Sequence, residues 1–383
     1  MEKFYRCSAD INLDAIRNNI QSAQKLLDDG VKTCAILKAD GYGHGAVPIA
    51  KNIADLVDFY AVASFEEAME LVNNGIKTPI LILGYIHYSF NEEAIQNDIR
   101  LTVYDLDMAK KVSKSAVKVG KTAKIHLKIN TGMNRIGFKP TPENLEVIKK
   151  ISKLKNIEIE GVFTHFHSAD EKSLSSSYDQ EVLFKEYTDA METMGIHVPI
   201  KHCSNSAATI RMKNANYNMV RMGIIIYGLY PSKYVKQMKL QPAMTLKSHI
   251  TTLKTLQKGD TVGYGATFTA QHKMQLATVS VGYADGYLRN LRNKGKVLVR
   301  GQICKIVGGI CMDQIMIDVS KVPDVKIHDE VILVGKGKDK EVPMEDVAEL
   351  AGTINYEFAC GITRRVTRRY LSKGKVVYIK EYC

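Results

Sequence analysis

A (β/α)8 TIM-type barrel followed by a C-terminal, mostly antiparallel β domain is the α/β fold that this sequence predicts. Three observations predict it. Through the first two-thirds of the chain, short β-rich apolar runs alternate with amphipathic helical patterns at roughly 20 to 40 residues per unit. Near residue 240 the pattern changes to alternating strands broken by glycine-containing turns. The length, 383 residues, exceeds what one core of ordinary size fills, so two domains are expected, 1–240 and 241–383.

The barrel strands are expected, in order, at Thr33–Lys38 (TCAILK), Phe59–Ser64 (FYAVAS), Pro79–Gly84 (PILILG), Leu101–Tyr104 (LTVY), Lys124–Ile129 (KIHLKI), Glu160–His165 (EGVFTH), Ile200–Ser204 (IKHCS) and near Asn218–Met222 (NMVRM). Helical segments lie between them, among them Asp14–Leu27, Phe65–Asn73 and Gln180–Met194. Eight such units suit a closed barrel. An open doubly wound sheet satisfies the same alternation. From Met244 the strands are expected at Leu246–Leu256, Gln275–Val281, Lys296–Val299, Ile303–Val307, Gln314–Val319, Glu330–Val334 and Lys375–Ile379. Turns fall at Lys258-Gly259-Asp260, Arg300-Gly301 and Gly335–Gly337. One amphipathic helix, Met344–Leu350, is stopped by Gly352. There is no internal repeat and no low-complexity linker.

Composition excludes several classes. Hydrophobic residues make up 45% and charged residues 25%, as in ordinary globular proteins. No stretch reaches about 18 uncharged apolar residues, so no membrane span is expected. Met1–Leu13 carries Glu2, Lys3, Arg6, Asp10 and Asn12 without an apolar run, so a cytoplasmic protein rather than a secreted one is expected. The seven cysteines (Cys7, Cys34, Cys203, Cys304, Cys311, Cys360 and Cys383) are scattered and form no CxxC pair. Reduced thiols fit better than a disulfide framework or a metal site. The net charge is +12. Its densest run, TRRVTRRY (Thr363–Tyr370), reads as a strand with a basic outer face. A field attracting anionic substrates or cofactors explains the charge better than a nucleic-acid partner.

The chemistry gathers at strand ends. Lys38 ends the first apolar strand and opens a glycine-rich turn, Ala39-Asp40-Gly41-Tyr42-Gly43-His44-Gly45. Parallel α/β folds place reactive groups there. A partly dry pocket favours the neutral amine, a nucleophile towards a carbonyl, and the glycines allow a ligand close to the backbone. A solvated lysine is the plainer alternative. Asn130–Gly137, with Arg135, follows the fifth strand. His165 closes the sixth, His202, Asn205 and Ser206 the seventh, and Arg221 and Gly223 the eighth. Ser206 could cap a helix starting at Ala207. Equally, Ser206 and Gly223 sit where barrels bind phosphate.

With these segments in view, the sequence resembles the alanine racemase family over nearly its whole length. The segments are ILKADGYGHGA, NTGMNRIGF, VFTHF, HCSNSAA, NMVRMGIIIYGLYPS, GYGATF, VGYADGY, ICMDQIM and TINYEFACGITRRV. The first looks like the family's cofactor signature. The resemblance implies a barrel and a β domain that the first residues join, paired head-to-tail in a homodimer with shared active sites. It implies pyridoxal 5'-phosphate held by a Schiff base on Lys38. Tyr42, Ser206, Tyr356, Gly223 and Ile224 would hold the phosphate, with Asn205 beside them. His165 would lie near the ring and Arg221 would face its nitrogen. Tyr264 and Met312 would come from the other subunit. Arg135 would bind the substrate carboxylate, Tyr283 would stand at the entrance, and Lys128 matches a position that can be carbamylated. No metal is implied.

The implied activity is the interconversion of L- and D-alanine, supplying D-alanine for peptidoglycan. A proton must leave one face of the α-carbon and return on the other, so two bases are needed, Lys38 and Tyr264. A phenol titrates near pH 10 and needs positive charge nearby, which His165 and Arg221 would supply. Arginine stays protonated, so the ring nitrogen gains no proton and side reactions are limited. Three departures from the family pattern stand out. They are Asn130 for an aspartate, Gly309 for an arginine and Thr367 for a proline. A serine or broader amino-acid racemase would keep the same residues, although Tyr356 and Met312 would crowd a larger side chain. A barrel-type decarboxylase would need an acidic partner where Arg221 stands. A non-catalytic cofactor-binding barrel would lack the β domain.

Overall fold

The computed structural model describes residues 3–382, so Met1, Glu2 and the seventh cysteine, Cys383, lie outside the described residues. The other six cysteines are free. Strand β1 (Cys7–Asn12) leads directly into helix α1 (Leu13–Gln24), whose first turn is capped by the Asn12 side chain accepting from the Ala15 amide at 3.0 Å.

Eight parallel strands follow: β2 (Lys32–Ile36), β3 (Phe59–Val62), β4 (Ile80–Ile82), β5 (Arg100–Val103), β6 (Ala123–Lys128), β7 (Ile157–Phe163), β8 (Ile200–His202) and β9 (Met219–Met222). Each of the eight expected runs carries one of them. The order is β8-β7-β6-β5-β4-β3-β2-β9, so the last strand returns to the first. The remaining seam, between β8 and β9, is bridged by two backbone bonds. Asn218 donates to the Lys201 carbonyl (3.1 Å) and Arg221 to the Ser204 carbonyl (3.0 Å). That closure removes the open-sheet alternative. Strands such as β3 and β4 are buried along their whole length, which is why they appear in the sequence as unbroken apolar runs.

The helices expected from periodicity are present. Phe65–Asn73 is capped by Ser64, and Met344–Ala351 ends on Gly352 at φ +78°. The helix expected at Gln180–Met194 begins earlier, at Ser175, because its first turn, Ser175-Ser176-Ser177, carries no apolar periodicity. No helix among the described residues is long and apolar enough to cross a membrane.

The second sheet is built on β10 (Met244–Leu256). It pairs antiparallel with β1 through Met244–Ser248, with Glu330–Lys336 through Leu246–His249, and with Met274–Val279 through Ile250–Leu256. On its other side β1 runs parallel to Thr367–Ser372. The chain's first strand therefore lies in the sheet of its last third.

Two expectations are corrected here. The first barrel strand stops at Ile36, and Lys38 lies in the turn beyond it. The basic run Thr363–Tyr370 is strand only from Thr367, and it is not a basic outer face. Arg368 is buried and donates to the carbonyls of Gly43, Ile362, Thr363 and Val366. Arg369 pairs with Asp10 and Arg365 with Asp313. Arg368 is spent on carbonyls inside the fold, and Arg369 and the more exposed Arg365 are spent on carboxylates, so these three form no free cationic stripe.

Candidate active site

The turn after β2 is the site's most constrained feature. Ala39, Asp40, Gly41 and Tyr42 have φ of +53°, +48°, +62° and +51°, a left-handed turn in which only one residue is glycine. At about 1–2 kcal/mol for each of the three L-residues with a Cβ, that conformation persists only if its surroundings enforce it. They do. Glu67 accepts from the Ala39 amide (2.7 Å), Asp40 from the Ala46 amide (2.8 Å) and Tyr227 donates to the Ile36 carbonyl (2.8 Å). From the β domain, Arg368 donates to the Gly43 carbonyl (3.0 Å) and Tyr370 to the His44 carbonyl (3.0 Å). The glycines therefore serve a neighbour other than a ligand. At Gly43 (φ +75°) a Cβ would overlap the carbonyl oxygen of Ala359.

The turn sets Lys38 half-buried at the barrel mouth. Burial, and then the charge of Arg135, push its amine below the ordinary lysine value. Tyr42 turns inward. Its ring lies 5.1 Å from that of Tyr227 and 6.1 Å from that of Tyr356, on the helix Asn355–Gly361. Burial raises both the Tyr42 and Tyr356 phenols, so each remains a hydroxyl donor.

Ser206 is not the helix cap. Asn205 caps the helix Ser206–Arg211, accepting from the Ala208 amide (3.0 Å), and this frees Ser206 Oγ to accept from the Gly223 amide (2.8 Å). A Cβ on Gly223 would stand 2.8 Å from Tyr42 Oη and 3.5 Å from Ser206 Oγ. Glycine leaves open a pocket ringed by two hydroxyls and the amides that start the short helix Ile224–Tyr227. Hydroxyls and amides of this kind can donate to an anion.

Below the mouth, charges accumulate with one sign. Arg221 is buried and donates to the carbonyls of Thr164 (2.8 Å), Cys203 (2.9 Å) and His202 (3.0 Å). Burial lowers it to about 10, so it remains a cation at neutral pH. It also donates to His165 Nδ1 (3.2 Å) and to His202 Nδ1 (3.0 Å). Each ring therefore carries its proton on Nε2. His202 Nε2 meets His126 Nδ1 (2.9 Å), and His126 Nε2 meets Glu160 Oε2 (3.0 Å). Every donor along the line points from Arg221 towards Glu160. Burial alone would raise the Glu160 carboxyl, but hydrogen bonds from His126 and Arg100 outweigh it and hold it at about 2.

His165 is consequently no source of positive charge. Burial, with Arg221, Lys128, Arg135 and Lys38 around it, drives its ring well below the ordinary value and keeps it neutral. Lys128, at the end of β6, is buried with its amine 4.8 Å from the Phe163 ring centroid. Its Nζ has no hydrogen-bond partner among the described residues. Burial, then Arg221 and Arg135, lower it well below its ordinary value. Arg135 is exposed on the loop after β6. That loop is organised by Asn130, whose side-chain oxygen accepts from the amides of Gly132 (3.2 Å) and Asn134 (2.9 Å). The amide thus keeps the acceptor that an aspartate would offer.

Tyr264, Met312 and Tyr283 form a separate group on the β domain. The amides of Tyr283 and Ala284 donate to the carbonyls of Cys311 and Met312, both at 3.0 Å, and Gly309 lies against the Tyr264 carbonyl. Their side chains are exposed, Tyr264 by 79%.

Family models describe both parts of the chain. Residues 11–231 match the alanine racemase N-terminal domain and residues 243–370 the alanine racemase C-terminal domain. The chain belongs to the alanine racemase family. An alanine racemase of Clostridium perfringens is 44% identical over 377 residues, 98% of this chain and 97% of that one. The solved alanine racemase of Clostridium difficile 630 superposes with a TM-score of 0.96 at 44% identity, covering all of both chains. That of Bacillus anthracis, solved with bound L-Ala-P, gives 0.92 at 36%, covering 99% of each.

Sequence reasoning missed two parts of this family member's site. His126, Glu160 and Arg100 lie inside the barrel, and alternation along β6 and β7 signals burial without naming partners. Glu67 carried one signal, the spacing Ser64-x-x-Glu67.

Four imidazoles of the barrel, all lowered by burial, set an acid limit. Burial takes His44 to about 4, His126 below its ordinary value, and His165 and His202 well below it. The unfolded chain protonates these rings near pH 6.5, where the folded chain leaves them neutral. Below that pH the unfolded state binds more protons, so stability falls as pH falls. The unfolding free energy from denaturant titrations should drop between about pH 7.5 and pH 5, by up to about 1.4 kcal/mol per ring per pH unit. A flat profile over that range contradicts the neutral assignment.

Proposed function

We propose that this protein interconverts L-alanine and D-alanine with pyridoxal phosphate carried on Lys38, as a homodimer in which Tyr264 and Met312 of one subunit complete the site of the other. The observation that carries the reading is a half-buried lysine with a lowered amine, fixed by a left-handed turn whose own Tyr42 faces the hydroxyl-lined space at Gly223. The relatives' names, and the L-Ala-P in one of their structures, support alanine as the substrate.

The residues fit the cofactor. Tyr42, Ser206, Tyr356 and the amides at Gly223 and Ile224 would hold its phosphate, with Asn205 fixing Ser206. His165 and Arg221 would hold the ring. When bound, pyridoxal phosphate supplies an electron sink that eases removal of the α-proton of an amino acid. Arg221 remains charged at about 10 and commits its donors to carbonyls and imidazoles, so it has no proton to hand on. Lys38, its amine lowered, takes or returns a proton on one face. Tyr264 does so on the other. A phenol left 79% exposed in one chain supports its use by a neighbouring copy, with Tyr283 at the entrance. Arg135 would bind the substrate carboxylate. The product D-alanine would serve peptidoglycan.

Lys128 fits carbamylation. A neutral amine can add to carbon dioxide and lose a proton, leaving an anion within the field of the Arg221 and Arg135 cations. Carbon NMR under labelled carbon dioxide should show a carbamate signal that Lys128→Ala removes. A wild-type spectrum without the signal overturns this part.

The shared site is tested by mixing inactive variants. Lys38→Ala should neither attach the cofactor nor racemise alanine, while Tyr264→Ala should attach it and not racemise. Subunit exchange between the two should restore partial activity, since a mixed dimer holds one intact site. No recovery despite demonstrated exchange would falsify the shared site, and covalent cofactor on Lys38→Ala would remove Lys38 from its role.

A further inference from the structure

The spacing Ser64-x-x-Glu67 has the form of a capping box, in which the glutamate reaches back to the amide of its own cap residue. Half of that arrangement is present, since Ser64 Oγ accepts from the Glu67 amide at 3.3 Å. The glutamate side chain goes elsewhere. Glu67 Oε2 accepts from the Ala63 amide and Oε1 from the Ala39 amide, both at 2.7 Å. Ala63 follows β3, and Ala39 is the residue after Lys38 and the first of the left-handed turn. One carboxylate thus ties the end of β3 to the turn beyond β2 with two charge-assisted bonds.

We propose that Glu67 is a positioning residue for Lys38, its carboxylate bridging the Ala39 and Ala63 amides so that the turn keeps the lysine amine in place for covalent loading. This rests on the reading that Lys38 carries pyridoxal phosphate. The other side-chain bonds lie to either side: Tyr227 holds Ile36 before the lysine, and beyond it Asp40 holds Ala46, Arg368 holds Gly43 and Tyr370 holds His44. Glu67 holds the amide adjoining the lysine itself. Its charge also opposes the lowering of the lysine by burial and Arg135. A glutamate serving only its helix would leave both effects at Lys38 unchanged.

The test compares wild-type apoprotein with Glu67→Gln and Glu67→Ala. Hydrogen exchange reads the Ala39 amide without cofactor. Added pyridoxal phosphate, fixed by borohydride and located by peptide mapping, reads the loading rate of Lys38. The expected result is faster exchange at Ala39 and loading slowed about tenfold in Glu67→Ala, with melting close to wild type. Glu67→Gln, which keeps one acceptor oxygen, should fall between. Loading at the wild-type rate, or an Ala39 amide that stays protected, overturns the proposal. If Glu67→Ala does not fold, Glu67→Gln decides by the same two readings. A wild-type protein that never loads Lys38 overturns the cofactor reading instead, and the exchange arm still decides whether Glu67 holds the turn.

Discussion

The left-handed turn Ala39–Tyr42 is the constraint on which the rest of the molecule is arranged. Three residues with a Cβ occupy a conformation that a free chain avoids, and they do so because partners from three parts of the fold meet there. Glu67 approaches from the barrel helix after β3, and Tyr227 from the turn after β9. Arg368 and Tyr370 approach from the β domain. The β domain adds its two bonds at Gly43 and His44 to those of the barrel. This gives the β domain a role inside its own chain, apart from any part it plays in a dimer. It also explains why β1 sits in the distal sheet: with β1 between β10 and Thr367–Ser372, the strand carrying Arg368 and Tyr370 is registered against the start of the barrel.

A second constraint is the crowding of basic side chains at and below the barrel mouth. Lys38, Lys128, Arg135 and Arg221 influence one another, and among the described residues no carboxylate bonds directly to Arg221. The compensation is indirect. Two neutral imidazoles pass the donor direction from Arg221 to Glu160, which Arg100 also holds. A carboxylate beside Arg221 would leave an acidic group near any bound ring. Placing it two imidazoles away satisfies the buried guanidinium while the mouth stays positive, which suits an anionic phosphate and a carboxylate substrate.

Much of this was legible in the sequence. Runs such as β3, β4 and β5, buried along their whole length, leave an apolar signature that length and spacing resolve into a barrel, and the strand ends named Lys38, His165, Ser206, Arg221 and Gly223 together. What was not legible depends on direction rather than residue type. Nothing local says that Asn205 caps and Ser206 does not, since both are good caps and only the Gly223 amide decides between them. The charge of His165 was misjudged because its burial among four basic side chains is a tertiary fact. The basic run Thr363–Tyr370 suggested a surface because alternation places side chains on two faces without saying which face is covered, and Arg368 lies on the covered one.

The account stands on one chemical claim, that this site moves the α-proton of a small amino acid from one face to the other. The most direct measurement incubates the cofactor-loaded protein in deuterium oxide with L- and D-enantiomers of alanine, serine and other amino acids, following the α-proton by NMR. The account predicts that both enantiomers of alanine lose the α-proton signal as the opposite enantiomer appears carrying deuterium. Retention of the α-proton in both alanine enantiomers by cofactor-loaded protein would contradict it.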